Sequence, residues 1–358
     1  MKTTLIQSRR FACICLAASL MLVVGCTAQN HDAVQQTNTD SQTNESRQPV
    51  ESNATASIQP SISQGFAKAS GPNLLEGDVA GWRVTAQGKI TSTDGKTWTV
   101  PGEVNYRTGP KAVDLYNECN DVTLPSAKAI DPSTVPVKTI DADGETITAY
   151  FFGDNYAELY INGQLVAVDP VPYWPFNTSL VRFKVKRPFT IAARLVDWEE
   201  NLGLGSEVMK GVPFHTGDGG FVAVFKNEAD ETIVKTDNTW LTQIYYVSPI
   251  ADPSRIGVSG GSRNSDDCEA PAKGNAEQGY AAHWPIPADW AEVDFDDTSW
   301  AKAHTYTNED IGGSLNRPAF ANFKDIFDDP KARRRVYLVV KSLAGQCGAN
   351  AESGRVNH

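Results

Sequence analysis

The chain has 358 residues, 32 of them basic and 43 acidic, which gives a formal net charge of −11 at pH 7. Such an excess of negative charge repels phosphate backbones, so we expect no nucleic acid partner.

Residues 1–25 follow the plan of a secretory signal peptide. A lysine and two arginines precede an apolar run over 11–24, which is too short to span a membrane comfortably. The run ends in the letters VVGC, which resemble the bacterial lipobox. This pattern predicts cleavage before Cys26 and attachment of acyl chains, palmitate among them, to that cysteine, so that the mature chain is anchored to a membrane through lipid.

The residue after the lipidated cysteine predicts the membrane that receives the protein. It is Thr27 rather than Asp, which by the general sorting rule for lipoproteins of two-membrane bacteria indicates the outer membrane. Cleavage removes three basic residues and no acidic one, which changes the formal net charge from −11 to −14.

Residues 26–70 contain the lipidated cysteine and a polar linker. The letters DAVQQTNTDSQTNES show no hydrophobic period, and such a composition buries too little apolar surface to offset its conformational entropy. We therefore expect a disordered tether that holds a folded domain away from the membrane.

The remaining chain divides into three segments. Residues 71–145 form a β-rich segment, whose relation to the next one the sequence leaves open. Residues 146–330 have the length and pattern of a β-sandwich, and 331–358 form an atypical tail. The folded part has the size of one large sandwich with an N-terminal extension or of two small ones.

Short alternating runs separated by turn residues predict antiparallel sheet. In the letters AELYINGQLVAV, Leu159 and Ile161 share one face while Glu158 and Tyr160 share the other, which is typical of a half-buried strand. Asn-Gly and Asp-Gly tolerate the positive φ angles of tight hairpin turns, and three such pairs lie within 70 residues. They are Asp94-Gly95, Asp143-Gly144 and Asn162-Gly163.

Several phrases, taken in order, resemble a known class of domain. Residues 154–163 look like the central hairpin of galactose-binding-like jelly rolls. Asp237 and Trp240, followed by the letters FDDTSW over 295–300, are similar to the N-terminal sandwich of bacterial α-L-rhamnosidases. The resemblance covers about 146–310 and implies an all-β, antiparallel jelly-roll sandwich that contacts glycans. It implies no catalysis, because the (α/α) barrel that hydrolyses the substrate in those enzymes has no counterpart here.

The loop PVPYWPFN is the first candidate binding element. Tyr173, Trp174 and Phe176 lie between prolines, and aromatic rings stack on the apolar faces of sugars while keeping a polar handle. The same rings would also serve to cap the end of a sandwich core. Both interpretations stay open.

A polar region from 197 to 220 is the second candidate. Its carboxylates and glycines fit a structural turn, a ligand or calcium site, or a catalytic carboxylate pair. The spacing does not separate these interpretations, so the sequence leaves metal binding undetermined and calcium is its candidate cofactor. The residues concerned are Asp197, Glu199, Glu200, His215 and Asp218.

One enzyme motif is present but lies in an unsuitable context. Residues 257–261, GVSGG, match the nucleophile elbow of serine hydrolases, which requires a strand before it and a helix after it. The letters that follow are polar and rich in turn residues. We therefore expect no serine nucleophile here.

The tail after about residue 333 lacks the turn chemistry and alternation of the preceding chain. With permitted codons, a shifted reading frame gives VFIWSSNL and then WRGNVVLMRKAVV before a stop, which has the pattern of a closing strand pair. We hypothesise that 331–358 is a frameshift product. Cys347 would then be accidental, and in an oxidising envelope Cys119 and Cys268 would form the disulfide.

The sequence thus predicts a lipid-anchored envelope protein whose β-sandwich binds a carbohydrate or another envelope component without catalysis. Two alternatives stay open. One is a carbohydrate-active hydrolase with a carboxylate pair in the 197–218 loops, and the other is a purely structural partner of an envelope protein.

Overall fold

The computed structural model describes most of the predicted folded region. The described residues are 59–69, 88–100, 105–117, 122–124, 129–154, 156–170, 178–197, 220–265, 267–272, 278–305 and 349–357. They belong to one compact unit, Asn53–His358. In them the fold is all-β, and the two helical elements are single 3-10 turns, Pro132–Thr134 and Pro253–Arg255.

The strands in chain order are β1 (Ser61–Gln64), β2 (Ala67–Ala69), β3 (Gly88–Ser92), β4 (Thr97–Val100), β5 (Val113–Asp114), β6 (Tyr116–Asn117), β7 (Val122–Thr123), β8 (Val137–Thr139), β9 (Glu145–Asp154), β10 (Tyr156–Ile161), β11 (Gln164–Val168), β12 (Ser179–Val185), β13 (Thr190–Val196), β14 (Gly220–Lys226), β15 (Thr232–Lys235), β16 (Leu241–Ile250), β17 (Gly257–Ser259), β18 (Ser262–Asn264), β19 (Tyr280–His283), β20 (Ala301–Lys302) and β21 (Ala349–Asn357).

Two sheets make up the body of the fold. The large sheet has the order β1-β19-β16-β21-β13-β10-β11, with β20 also paired to β16. The small sheet has the order β15-β14-β9-β12-β5, with β8 also paired to β12. Among the described strand pairs only β8 with β12 is parallel. The predicted all-β, antiparallel architecture is therefore confirmed.

The two sheets share one apolar core, which we call the inner core. The small sheet contributes Phe151, Phe183 and Phe225, and the large sheet contributes Leu159 and Ile191, all fully buried. Burying such a side chain contributes about 1.5–3 kcal/mol each. In β12 the apolar residues alternate with half-exposed basic ones, as the sequence predicts.

A second apolar group, which we call the outer cluster, covers the other face of the large sheet. Tyr160 and Ala192 alternate with inner-core residues along their strands, so their side chains leave the sheet on the opposite face. There they pack with Trp284, Trp290 and Trp300, which come from the chain after β16. The large sheet is thus buried on both faces.

This second layer changes the interpretation of β10. The sequence predicts a half-buried strand, but all six residues of Tyr156–Ile161 are buried, and Glu158 has no exposed surface. The prediction was wrong because alternation shows only that two faces differ. It does not show that the more polar face meets water.

Two of the three predicted hairpins are confirmed. β3 and β4 pair around Gly95, and β10 and β11 pair around Asn162 and Gly163, whose φ angles of 48° and 76° fit the predicted tight turn. The third prediction was wrong, because β8 and β9 both pair with β12 and not with each other. At this turn Gly144 passes so close to the end of β12 that a Cβ on it would meet the backbone of Val185.

The N-terminal segment contributes two strands to the small sheet. β5 and β8, from the segment 71–145, pair with β12, so this part of the segment does not stand apart. Strand β1 lies inside the predicted linker but pairs with β19 through four residues. The described structure therefore begins before residue 70, the predicted C-terminal end of the tether. The sequence does not predict β1, because its four residues, SISQ, carry too little apolar alternation to indicate a strand. Its pairing with β19 stabilises the extended conformation.

The atypical tail also forms a strand. β21 lies between β13 and β16, in antiparallel register with both. No unpaired edge is left at that position of the described sheet. The frameshift hypothesis concerns the gene and stays a prediction.

Candidate functional site

One end of the two sheets, which we call the loop end, holds every point at which the two predicted binding segments leave and re-enter the described strands. The start of β10 pairs with the end of β13, and the end of β9 pairs with the starts of β12 and β14. The segment 171–177 connects β11 to β12, and 198–219 connects β13 to β14. Both segments therefore begin and end at the loop end.

Most of the predicted site residues lie outside the described residues. This holds for the aromatic loop, for the lipidated cysteine, for one cysteine of the predicted disulfide, and for every candidate of the polar region except Asp197. The undescribed ones are Tyr173, Trp174, Phe176, Glu199, Glu200, His215, Asp218, Cys26 and Cys119.

Two carboxylates stand at the bases of the predicted binding segments. Asp169 follows β11 and is 1% exposed, and Asp197 follows β13 and is 5% exposed. The backbone N–H of Asp169 donates to the carbonyl of Ala157 on β10, which fixes the point at which the chain leaves the sheet. We therefore expect Asp197 to support the surface that the segments form more than to contact a ligand directly.

A third carboxylate, Glu158 on β10, is the centre of a buried polar group that we call the Glu158 cluster. Tyr156 donates to its Oε1 at 3.0 Å, and Tyr160 donates to its Oε2 at 2.6 Å. Asn105 donates to it twice, from the backbone N–H and from Nδ2, the latter at 3.0 Å. Arg194 Nη1 lies 3.7 Å from Oε2. The buried charge is thus compensated by an opposite charge and by four hydrogen bonds.

The electrostatics of this cluster keep its phenols protonated. Burial, together with the negative charge of Glu158, raises the pKa of Tyr156 and of Tyr160 well above the ordinary value of a phenol. Both hydroxyls therefore remain hydrogen-bond donors throughout the ordinary pH range. Glu158 therefore accepts hydrogen bonds from both phenols and from Asn105, which fix its position in the fold.

An aromatic ring closes the cluster on the outer side. Trp290 contacts Tyr160 edge-on, with ring centroids 5.0 Å apart, and the Arg194 guanidinium lies 5.5 Å from the Trp290 ring. Such contacts add a cation–π interaction to the ion pair and exclude water from it.

A turn over 105–110 packs against the loop end and is held there by the Glu158 cluster. Gly109 lies so close to β11 that a Cβ would stand 2.6 Å from Cγ1 of Val168. The Tyr106 hydroxyl donates to the carbonyl of Pro170 at 3.1 Å, immediately before the segment 171–177. Asn105 therefore connects the buried carboxylate to the residues that border the predicted aromatic loop.

Sequence reasoning missed this arrangement. The alternation along β10 predicts that Glu158 faces solvent, and the sequence gives no signal for the turn over 105–110. One signal was present, because Tyr156 and Tyr160 flank Glu158 at a spacing of two and so share its face of the strand. Two aromatic rings beside a carboxylate on one face are typical of a covered position.

The two Trp-containing phrases behind the family resemblance form similar turns. Asp237 Oδ1 accepts from the N–H and hydroxyl of Thr239, and Asp296 Oδ1 accepts from the N–H and hydroxyl of Thr298. Trp240, which follows the first turn, enters the inner core, whereas the tryptophan that follows the second enters the outer cluster. These phrases therefore have packing roles.

In the described part of the chain the structure supports neither a serine nucleophile in GVSGG nor a metal site. The segment GVSGG is the β17–β18 hairpin, with Gly260 and Gly261 in the turn at positive φ, so no helix follows Ser259 as a nucleophile elbow requires. Within the described ranges no three His, Cys, Asp or Glu residues are grouped as a metal site. Cys268 is fully buried in the outer cluster.

Comparison of the chain with protein-family models, with curated proteins and with solved structures finds no match. In the described residues no helix has the length and apolar character needed to cross a membrane.

Proposed function

We propose that this protein is a lipid-anchored component of the bacterial outer membrane. Its galactose-binding-like jelly roll binds a carbohydrate or another envelope component without catalysis. The loops 170–177 and 197–218 form the binding surface, and the polar region before the fold is the tether that carries it.

The observation that supports this proposal is that the described strands to which the two segments are attached all have those ends at the loop end. One segment is rich in aromatic residues and the other in carboxylates and glycines. The strand pairings bring all four of their attachment points to the same end of the fold. Aromatic rings beside hydrogen-bonding carboxylates are the combination that sugar recognition uses, because rings cover apolar sugar faces while polar groups pair with hydroxyls.

The burial of Glu158 supports the non-catalytic part of the proposal. Glycoside hydrolysis needs two carboxyl groups that reach the scissile bond. Of the carboxylates at the loop end that the structure describes, Glu158 is saturated with donors, and Asp169 and Asp197 are almost fully withdrawn from solvent. None of these three presents the open carboxylate that a hydrolase requires, whereas Asp114, which pairs with Ser179 at the start of β12, is half-exposed.

Replacement of Trp174 by alanine is expected to weaken retention on the bound polysaccharide by about tenfold or more, because a stacked tryptophan is a typical binding hot spot. The measurement is affinity electrophoresis of the chain from residue 26 onward, carrying Cys26→Ser, on a panel of envelope and plant polysaccharides with and without calcium. Trp174→Phe keeps a ring and should retain most of the binding.

Release of reducing ends by the same protein would contradict the non-catalytic assignment. Glu199→Gln separates the two cases, since in a hydrolase it should abolish release while retention persists, whereas a binding module shows no release with either protein. Retention of no polysaccharide by the unsubstituted chain would remove the carbohydrate proposal and favour a protein partner.

Replacement of Cys26 by serine is expected to abolish incorporation of labelled palmitate, because the thiol is the predicted attachment atom. The full chain expressed in a two-membrane bacterium should then leave the outer-membrane fraction. Labelling that persists in the Cys26→Ser variant would show that the lipid is attached elsewhere or that the band is another protein.

A further inference from the structure

We propose that the outer cluster contains a second binding site, at which the guanidinium of Arg263 binds the carboxylate of a small organic acid. The site lies on the outer face of the large sheet, and it is independent of the function proposed for the loop end. Sequence patterns do not indicate it, because Arg263 lies in β18 while the rings beside it come from β16 and from the residue after β19.

Two aromatic rings hold the Arg263 side chain. The guanidinium carbon lies 4.6 Å from the centroid of the Tyr245 ring and 4.6 Å from that of the Trp284 ring. Both rings belong to the outer cluster and are buried, so they are themselves fixed in place. A guanidinium held in one orientation loses less conformational freedom when it binds an anion than an exposed arginine does.

Hydrogen bonds from β16 hold the strand that carries Arg263. The buried side chain of Gln243 donates from Nε2 to the carbonyl of Gly261 at 2.8 Å, and its Oε1 accepts from the backbone N–H of Arg263 at 3.1 Å. Gly261 also packs closely, since a Cβ on it would stand 2.7 Å from Cβ of Ser299. The β17–β18 hairpin is therefore fixed against β16, and the position of Arg263 with it.

The polar edge of the guanidinium is only partly used. Nη1 of Arg263 donates to the carbonyl of Ile244 at 2.6 Å, whereas Nε and Nη2 have no acceptor among the described residues. Neither of these two atoms is among the buried polar atoms that lack a partner, so both reach the surface. The N–H groups of Nε and Nη2 point the same way and form the fork that pairs with the two oxygens of a carboxylate.

The charge of Arg263 has no counter-ion in the described part of the chain. None of the ion pairs there includes Arg263, whereas Arg194, a second arginine beside the outer cluster, lies next to Glu158. Burial lowers the pKa of Arg263 to about 10, because the charged form has lost water, and the side chain stays charged at neutral pH. A partly buried charge of this kind is stabilised when a ligand brings the opposite charge to it.

A small monocarboxylate fits this site better than a phosphate does. One guanidinium neutralises one negative charge, and a protein with a formal net charge of −11 repels the second charge of a phosphate. Burial raises the pKa of Tyr245 to about 12, with a further contribution from the exposed Asp289, whose charge therefore reaches the site and adds to this repulsion. We therefore expect selectivity for a singly charged carboxylate.

The test is a titration of the chain from residue 26 onward, carrying Cys26→Ser, with acetate, acetamide and inorganic phosphate at constant ionic strength. The readouts are the NMR resonance of the Arg263 Nε–H group and tryptophan fluorescence, to which Trp284 contributes. We expect acetate to shift the resonance with a Kd on the order of 1–10 mM. Acetamide, which has the shape of acetate without its charge, should leave the resonance in place, and phosphate should bind more weakly than acetate.

Matched variants, followed by fluorescence, separate the fork from the charge. Arg263→Gln is expected to raise the Kd for acetate by about tenfold or more, and Arg263→Lys, which keeps the charge without the fork, by about three- to tenfold. Asp289→Asn removes a repelling charge from an exposed position and should lower the Kd by about twofold. Arg187→Gln removes an exposed arginine that is paired with Glu145 at the start of β9, and it should leave the Kd unchanged.

An Arg263 resonance that acetate leaves in place, or that acetamide shifts equally, would overturn this proposal. Tighter binding of phosphate than of acetate would overturn the assignment to a carboxylate. Thermal unfolding identifies any variant that has lost its fold, and if Arg263→Gln is one of them, unchanged acetate affinity in both Arg263→Lys and Asp289→Asn would overturn the proposal instead. Trp174→Ala should leave the Kd for acetate unchanged, so the result is separate from the function proposed for the loop end.

Discussion

Replacing Glu158 by alanine is expected to lower the free energy of unfolding by about 3–5 kcal/mol. The substitution leaves Arg194 as a buried charge whose counter-ion has been removed, and it removes the acceptor of the Tyr156 and Tyr160 hydroxyls. Each buried donor that loses its acceptor costs about 1–3 kcal/mol. Denaturation by urea, followed by tryptophan fluorescence, measures the change.

Two further variants apportion this effect. Tyr160→Phe removes one donor and leaves the ion pair, so we expect a loss of about 1 kcal/mol. In Glu158→Gln the shape is kept and the charge is lost, and the result should lie between the other two. An alanine variant as stable as the Tyr160→Phe variant would show that the cluster is solvated and that its carboxylate does not hold the fold.

Substitution of Glu158 is also expected to affect binding at the loop end. Asn105 donates to Glu158 through two groups, and Tyr106 follows it directly. Glu158→Gln weakens the contacts that hold the turn over 105–110 beside the start of the segment 171–177, so binding should weaken even where the protein stays folded. The buried acid is therefore a positioning residue for the proposed site and not a contact residue.

The strands with strong local signals could be predicted from sequence. Asn162 and Gly163 specify a turn through their own backbone preferences, and Val181 and Phe183 alternate with basic residues on β12. These signals are local, since a few neighbouring residues contain all of the information. They establish that antiparallel sheet forms and where two of its hairpins turn.

What could not be predicted depends on contacts between distant parts of the chain. Glu158 resembles a surface residue until Trp290, more than 130 positions away, covers its face. The turn at Gly144 has the letters of a hairpin, yet β12 takes the place between its two flanking strands. Periodicity describes one strand at a time, whereas the number of layers and the neighbours of a strand are set by the whole fold.

Deletion of residues 349–357 is expected to abolish the cooperative unfolding transition and to cause aggregation. β21 lies between β13 and β16 with six register pairs on each side, so its loss exposes two facing rows of N–H and C=O groups. At about 0.5–1.5 kcal/mol net for each hydrogen bond lost from the two ladders, the total is comparable to the 5–15 kcal/mol that holds a typical domain together. Size-exclusion chromatography and a thermal melt measure the result, and a truncated chain that stays monomeric and melts cooperatively would show that β21 does not belong to the sheet.

The position of β21 also sharpens the frameshift hypothesis. Every residue of its neighbour β13 is buried, and a strand in such a central place is expected to be nearly continuous in apolar residues. The letters ANAESGRVN are instead polar and contain Gly354, which weakens a strand interior. The shifted frame supplies WRGNVVLMRKAVV, in which β-branched and long apolar residues predominate. A chain in which 331–358 is replaced by the shifted-frame sequence should therefore melt at a higher temperature than the present one. A lower melting temperature, or codons in the gene that are incompatible with that frame, would instead identify β21 as the native strand.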